Sequence, residues 1–287
     1  MQVRSEPLSV AVVVPVRDLV GAVESCAGSL EAQDWHGARI VFVDNGSRDG
    51  SAELLARRGH EVLSEPRRGA AAARNRGIEA TTEEIVAFTD ADCVVSTSWL
   101  RELLAAFTDP EIEVASGTLL PLEPWRSAYA DYAAQIGQYD ARRTLSHPLF
   151  PYAPPGNVAI RRRVLAEVGG FDPEFQTYEG AELFYRIHRA GRLRYEVRPR
   201  AAVFFRTRDN LSAFVRQNQA YGRGWAQFGY KHPEAFGGGR RWVGTSLRRL
   251  AAGRALPPRL WALHVVRELA LLGGALGYRL SSGVRER

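Results

Sequence analysis

The sequence predicts an α/β protein: a mostly parallel central sheet flanked by helices on both faces. Three observations predict it. Short β-branched runs alternate four times with helical stretches as far as Phe107. Those runs are apolar without alternation, as in strands buried on both faces. Polar residues gather where the runs stop, at Arg17, Asp44 and the Asp90/Asp92 pair, and this is the edge where open α/β sheets bind ligands.

Each element has its own justification. "SVAVVV", Ser9–Val14, reads as the first strand and stops at Pro15. Asp18–Gln33 reads as a helix with Leu19, Val23, Cys26 and Leu30 on one face. "ARIVFV", Ala38–Val43, is a second strand ending at "DNGSRDGS", where Asp49 or Ser51 can cap a helix over Ala52–Arg58. Glu61–Ser64 reads as a short strand, Gly69–Ala80 as an Ala-rich helix and Glu84–Thr89 as a fourth strand. Ser96 to Ser98 offer caps for a helix over Trp99–Phe107. The pattern then loosens. Ile112–Gly117 reads as a strand, and "APPGNVAIRRRVLAEVGGF" as a turn, a short strand and a helix closed at Gly169/Gly170. "EGAELFYRIHRAG" reads as a helix with Gly191 at its C-terminal cap, and Leu211–Phe228 as a helix despite Gly222 and Gly224.

A chain of 287 residues with 45% hydrophobic and 24% charged residues fits one large domain, 1–236, with an appendage, 237–287, after the glycines 237–239. Two cysteines, Cys26 and Cys93, cannot form a disulfide framework, and the first apolar run is too short for a secretory leader. A cytoplasmic location is therefore expected. From Gly237 onward ten arginines face two glutamates, a net +8 against −2 for the preceding 236 residues. Such a tail suits anionic headgroups or nucleic acid. No stacking platform or nucleic-acid motif accompanies it, so no nucleic-acid partner is expected. Trp261, Val265, Leu269, Leu272, Leu276 and Leu280 form one helical stripe. The uncharged run Leu269–Tyr278 is ten residues, short of the roughly 20 of a membrane span. Peripheral contact of 240–280 with the inner face of the membrane is expected, with packing on the domain or in a homodimer as the alternative.

"FTDADCVV" places Asp90 and Asp92 where an apolar strand stops. Unpaired charges there need a positive partner. Two carboxylates with phosphate oxygens suit Mn²⁺ or Mg²⁺, which would neutralise a leaving diphosphate. The chain has no P-loop, no G-x-G-x-x-G and no zinc spacing.

Six blocks occur in order: "VVVPVRD", "VFVDNGSRDGS", "GAAAARNRGI", "FTDADCVVSTSWL", "GNVAIRRRVLAEVGGFDPEF" and "YEGAELFYRIHRAG". Together they resemble the inverting glycosyltransferase family 2, with its GT-A fold, over roughly 9–228. "RQNQAYGRGWAQF" is similar to a segment of members that build bacterial exopolysaccharides and glycolipid-linked glycans. The resemblance implies sugar transfer from a nucleotide-sugar donor to a glycan or lipid-linked acceptor, with a soluble natural-product acceptor, or a nucleotide-binding protein without turnover, as the alternatives. It implies that backbone around Pro15, Val16 and Arg17 lines the base and ribose of a nucleotide, commonly UDP. Asp44 would bond the uracil or ribose, and Arg74 would face the base or diphosphate. Asp90 with Ala91 would contact the ribose or the metal's water shell, and Asp92 would ligate the metal. Gly156 and Asn157 would lie near the donor sugar or acceptor.

Two departures matter. The family's general base is an aspartate in a Glu-Asp-x-Asp/Glu-Leu motif, and here Gly180 stands in its place within Glu179-Gly180-Ala181-Glu182-Leu183. Glu179 is the nearest substitute and Glu182 the next, although Glu182 can also pair with Arg186 four residues on. Relatives also carry a histidine near "FFRTRDNL", where this chain has Arg206, a cation able to compensate diphosphate charge.

Overall fold

The computed structural model describes residues 8–35, 37–122, 127–147, 151–207, 210–236, 253 and 256–281. They fall into two compact units. The first takes the described parts of Met1–Leu122, Tyr139–Glu174 and Gly180–Arg206, and the second those of Glu123–Gln138, Phe175–Glu179 and Thr207–Arg287. Compactness thus groups 207–236 with the C-terminal helix. The glycines at 237–239 and seven of the ten arginines of the basic segment lie outside the described residues.

The first unit is built on one mixed sheet. Its strands are β1 (Val10–Val16), β2 (Arg39–Asp44), β3 (Glu61–Ser64), β4 (Ile85–Thr89), β5 (Cys93–Val95), β6 (Val114–Pro121), β7 (Asn157–Arg161) and β8 (Tyr195–Phe205). They lie in the order β3-β2-β1-β4-β7-β6-β8-β5. The four strands β3, β2, β1 and β4 are parallel, β7 runs against β4, and β5 runs against β8. Val10, Val12 and Val14 face one layer, with helices α1 (Val20–Glu31), α2 (Ser51–Arg57) and α4 (Trp99–Ala105). Val13, Val41 and Val43 face the other, with α3 (Ala70–Ala80), α7 (Arg162–Val168) and α8 (Glu179–Arg189). A short α6 (Ala141–Leu145) adds to that second layer. Burial on both faces is why these strands read as unbroken apolar runs.

Differences from the sequence reading have physical reasons. The 195–205 segment gave no strand signal because it carries Pro199 and charged residues. The sheet absorbs them in a register shift: Ser116 pairs with Val197 but Thr118 pairs with Ala202. Asp49 Oδ1 accepts from the amide of Ser51, the first residue of α2, at 3.0 Å, and Asp49 and Ser51 also cap α1. Ser51 Oγ accepts from the Leu19 amide at 2.9 Å and Asp49 Oδ2 from the Val20 amide at 2.7 Å. This stitches the loop after β1 to the loop after β2. Gly50, at φ 90°, fills the capping position of α2 itself. The expected closure of α7 at Gly169 holds, with φ 79°.

The second unit packs α5 (Ala128–Gln135), α9 (Leu211–Lys231) and a last helix, α10 (Pro258–Ser281). Helices α9 and α10 cross on glycines: a Cβ at Gly222 would meet the Leu271 carbonyl, and one at Gly274 the Gln219 carbonyl. The inward face of α10 is partly polar, with His264 and Glu268 buried and His264 Nδ1 2.7 Å from the Tyr132 hydroxyl. The stripe read as its apolar face points outward instead, with Trp261 44%, Leu269 62%, Leu276 50% and Leu280 85% exposed. Because α10 starts at Pro258 and not at Leu269, it is long and apolar enough to cross a membrane by length and composition. That corrects the estimate made from the uncharged run alone.

Gly77 shows how tightly the first unit is built. A Cβ there would overlap the buried Val13 side chain on β1. Helix propensity would favour alanine by about 1 kcal/mol, but overpacking costs about 1–3 kcal/mol. Gly77→Ala is therefore expected to lower stability in urea unfolding, whereas a rise would show that α3 can shift away from β1.

Candidate functional site

The parallel strands end on one line. Val16 pairs with Asp44, and Asp44 with Ser64. The antiparallel partner β7 starts there too, with Asn157 opposite Thr89. Continued by one residue, this register sets Gly156 against Asp90. A Cβ at Gly156 would come 2.7 Å from Asp90 Oδ2, so the glycine keeps the space beside the carboxylate clear.

Asp90 has a positive partner within the chain. Arg74 Nη2 donates to Asp90 Oδ1 at 2.7 Å, and its guanidinium lies 5.4 Å from the Phe171 ring. Asp90, Asp92 and Cys93 bring one ligand atom each within 4.8 Å of one another. Two carboxylate oxygens suit a hard divalent cation, and the clearance at Gly156 leaves room beside one of them. Burial, then the negative charges of Asp90 and Asp92, push the Cys93 thiol well up. Its Sγ lies 3.7 Å from Asp92 Oδ1, so the buried thiol lines the site beside the two carboxylates. Cys93 was missed in the sequence because it follows the acidic pair as the first residue of a three-residue strand.

The remaining expected residues separate into two groups. Pro15, Val16, Arg17 and Asp44 all sit at the strand-end edge. The Asp44 carboxylate accepts from the amides of Gly46 and Ser47, both at 3.2 Å, so it also shapes its own loop. Val16 and Ala91 turn their side chains into the core, leaving only backbone for a ligand. Arg206 follows Phe205, which pairs with Cys93, so the same register continued by one residue sets Arg206 opposite Asp92. Arg206 Nη2 donates to the Gly21 carbonyl at 3.1 Å.

Two residues are corrected. Asn157 is 0% exposed. Its amide donates to the carbonyls of Thr118 and Ala201, and accepts from Trp99 Nε1 at 2.9 Å. It ties the sheet together and has no amide hydrogen left for a substrate. Glu182 is 1% exposed and held by both arms of Arg186, at 2.8 and 2.7 Å. Arg186 also donates to the Val168 and Gly170 carbonyls. Glu182 therefore anchors α8 to the end of α7, and a base role is closed to it. A side chain at Gly180 is excluded as well, since its Cβ would overlap Pro155 Cγ and lie 2.7 Å from Pro155 Cδ. Glu179, half-buried at the first position of α8, is the carboxylate left in the motif.

The model of glycosyl transferase family 2 matches residues 11–169, and the chain belongs to that family. It is 33% identical over 264 residues to the pre-mycofactocin glycosyltransferase of Mycobacterium tuberculosis, covering 85% of this chain and 54% of that protein. It is 26% identical over 170 residues to the glycosyltransferase AglE of Haloferax volcanii, covering 56% of this chain and 55% of that one. The chain thus spans about half the length of these curated relatives. Among solved structures, the mannosyltransferase PcManGT of Pyrobaculum calidifontis, in complex with GDP-Man and Mn²⁺, superposes with a TM-score of 0.68 at 18% identity, over 96% of this chain and 88% of that one. TarS of S. aureus in complex with UDP gives 0.55 at 15% identity, over 98% and 93%. These likenesses establish the GT-A fold.

Removing one member of a buried ion pair costs about 3–5 kcal/mol. Glu182→Ala is expected to lose stability on that scale in chemical denaturation. An unchanged midpoint would return Glu182 to the list of candidate bases.

Proposed function

We propose that the chain transfers a sugar from a nucleotide-diphosphate sugar, a UDP-sugar by preference, to an acceptor hydroxyl with inversion. The observation that carries this is Asp90 and Asp92 beyond the end of β4, with Arg74 on Asp90 and Gly156 clearing its flank. Asp90 and Asp92 would hold Mn²⁺ or Mg²⁺, which when bound supplies charge neutralisation for the leaving diphosphate. Backbone at Pro15, Val16, Arg17 and Ala91 lines the nucleotide, with Asp44 on the base or ribose. Arg74 holds Asp90 in place, and Arg206, opposite Asp92 by register, adds positive charge toward the diphosphate. Glu179 takes the proton of the attacking hydroxyl from the first position of α8. The relatives' names support the class, as does the solution of PcManGT with GDP-Man and Mn²⁺ and of TarS with UDP.

A glycan or lipid-linked acceptor fits two further observations. One relative, 26% identical over 261 residues, is the succinoglycan biosynthesis protein ExoA of Rhizobium meliloti. The outward apolar stripe of α10, with arginines nearby in sequence, suits peripheral contact with an anionic cytoplasmic leaflet. A homodimer through that stripe is the competing use. A second reading, a nucleotide-binding protein without turnover, is favoured by Gly180 and by Arg206 standing where relatives carry a histidine.

Thermal shift with UDP, GDP, TDP and CMP, each with and without Mn²⁺, tests the donor site. Ligand at a hundred times its Kd stabilises by about 2.7 kcal/mol. A metal-dependent shift is expected with UDP and is lost in Asp92→Ala. Release of UDP from a panel of UDP-sugars, with alkyl glycosides as acceptors, then tests turnover. Glu179→Gln is expected to lower kcat about 10²-fold or more. A nucleotide shift without any release would support the second reading. On membranes, wild type should co-sediment with anionic vesicles and a Leu269→Glu/Leu276→Glu variant should not; equal sedimentation rules out the stripe.

A further inference from the structure

Tyr178, the residue ahead of Glu179, has φ +74°. Among the described residues only Asp18 shares a positive φ without being glycine. Aspartate tolerates that region, whereas a bulky aromatic does not. A residue preceding a helix ordinarily lies in the β region, so the chain here is turned against its preference just before it delivers Glu179. Such a conformation persists only where the surroundings enforce it.

The surroundings are on α9. Thr177 Oγ1 donates to the Ala220 carbonyl at 2.8 Å. Gly224, one turn further, has no side chain, and a Cβ there would come 2.6 Å from the Thr177 carbonyl and 2.8 Å from Tyr178 Cβ. One turn on, Phe228 takes the Tyr178 ring at 6.0 Å between centroids. Near the end of the helix, Lys231 Nζ lies 5.9 Å from the Phe175 ring. Positions 220, 224, 228 and 231 share one face of α9, and each holds part of the 175–178 segment.

We infer that this face of α9 is a clamp whose task is to hold Tyr178 in its left-handed conformation and so fix the direction of Glu179. Tyr178 and Gly224 are positioning residues for the reaction. This rests on Glu179 being the base, and it also accounts for how a glutamate one place early can serve where Gly180 cannot carry a side chain.

The test compares Tyr178→Gly, Gly224→Ala and Glu179→Gln in the UDP-release assay, together with melting temperature and the shift produced by UDP with Mn²⁺. Glycine accepts a positive φ without strain, which offsets loss of the ring contact with Phe228, so Tyr178→Gly should still unfold in one cooperative transition. Its kcat should nonetheless fall about tenfold or more, with the donor KM and the UDP shift unchanged and the acid limb of the kcat–pH profile displaced. Gly224→Ala should show the same split between kcat and KM. Wild-type kcat in both variants, beside a loss in Glu179→Gln, overturns the clamp and leaves the base. A parallel loss of kcat and the UDP shift also overturns it, because the segment would then support the fold in general. Unimpaired Glu179→Gln, or no release by wild type, overturns the base assignment and the clamp with it.

Discussion

A strand buried on both faces can place a charge only at its ends. In the first unit β1, β2 and β4 are such strands, and this constraint arranges everything functional about the chain. The charges displaced from the middle of the sheet accumulate after Val16, Asp44 and Thr89, on a line fixed by the backbone register. The antiparallel β7 then meets β4 so that a glycine, not a side chain, flanks Asp90. The site is therefore positioned by main-chain hydrogen bonding, with few side chains needed to hold it. Arg74 is the exception, a buried cation that satisfies Asp90 from the adjoining helix.

Polar groups that do lie inside the sheet are spent on structure. Asn157 joins three strands through its amide, and Glu182 with Arg186 closes the α7 end against α8. Both belong to blocks that carry the family resemblance, and both would pass for substrate residues by spacing. What decides against them is completeness: an amide or carboxylate with its partners already supplied cannot be offered to a ligand without leaving another buried group unpaired.

The fold was legible where one physical demand ruled a segment. Continuous apolarity located β1 to β4, and Gly169 located the end of α7. Legibility failed where demands competed. Pro199 and its charged neighbours concealed β8, because a register shift, invisible in a single strand, accommodates them. Asp49 and Ser51 announced a cap on the helix that follows, but not that the same two side chains also cap α1 across the loop after β1. The acidic pair was legible as a candidate cation site, but the partner of Asp90 was not, because helical position alone does not say which strand end an arginine reaches. The polar inner face of α10 was hidden by the stronger pattern of its outer stripe.

The glycines of α9 stand two residues apart and so face nearly opposite sides of the helix. Gly222 admits α10 and Gly224 admits the 175–178 segment. The helix is consequently not an exchangeable part. In a chimera built from two relatives, α9 could be grafted only together with the residues it meets on each side, two stretches of chain that lie before and after it and that sequence distance gives no reason to link. A viable exchange would have to take 175–178, α9 and the face of α10 around Leu271 from the same parent.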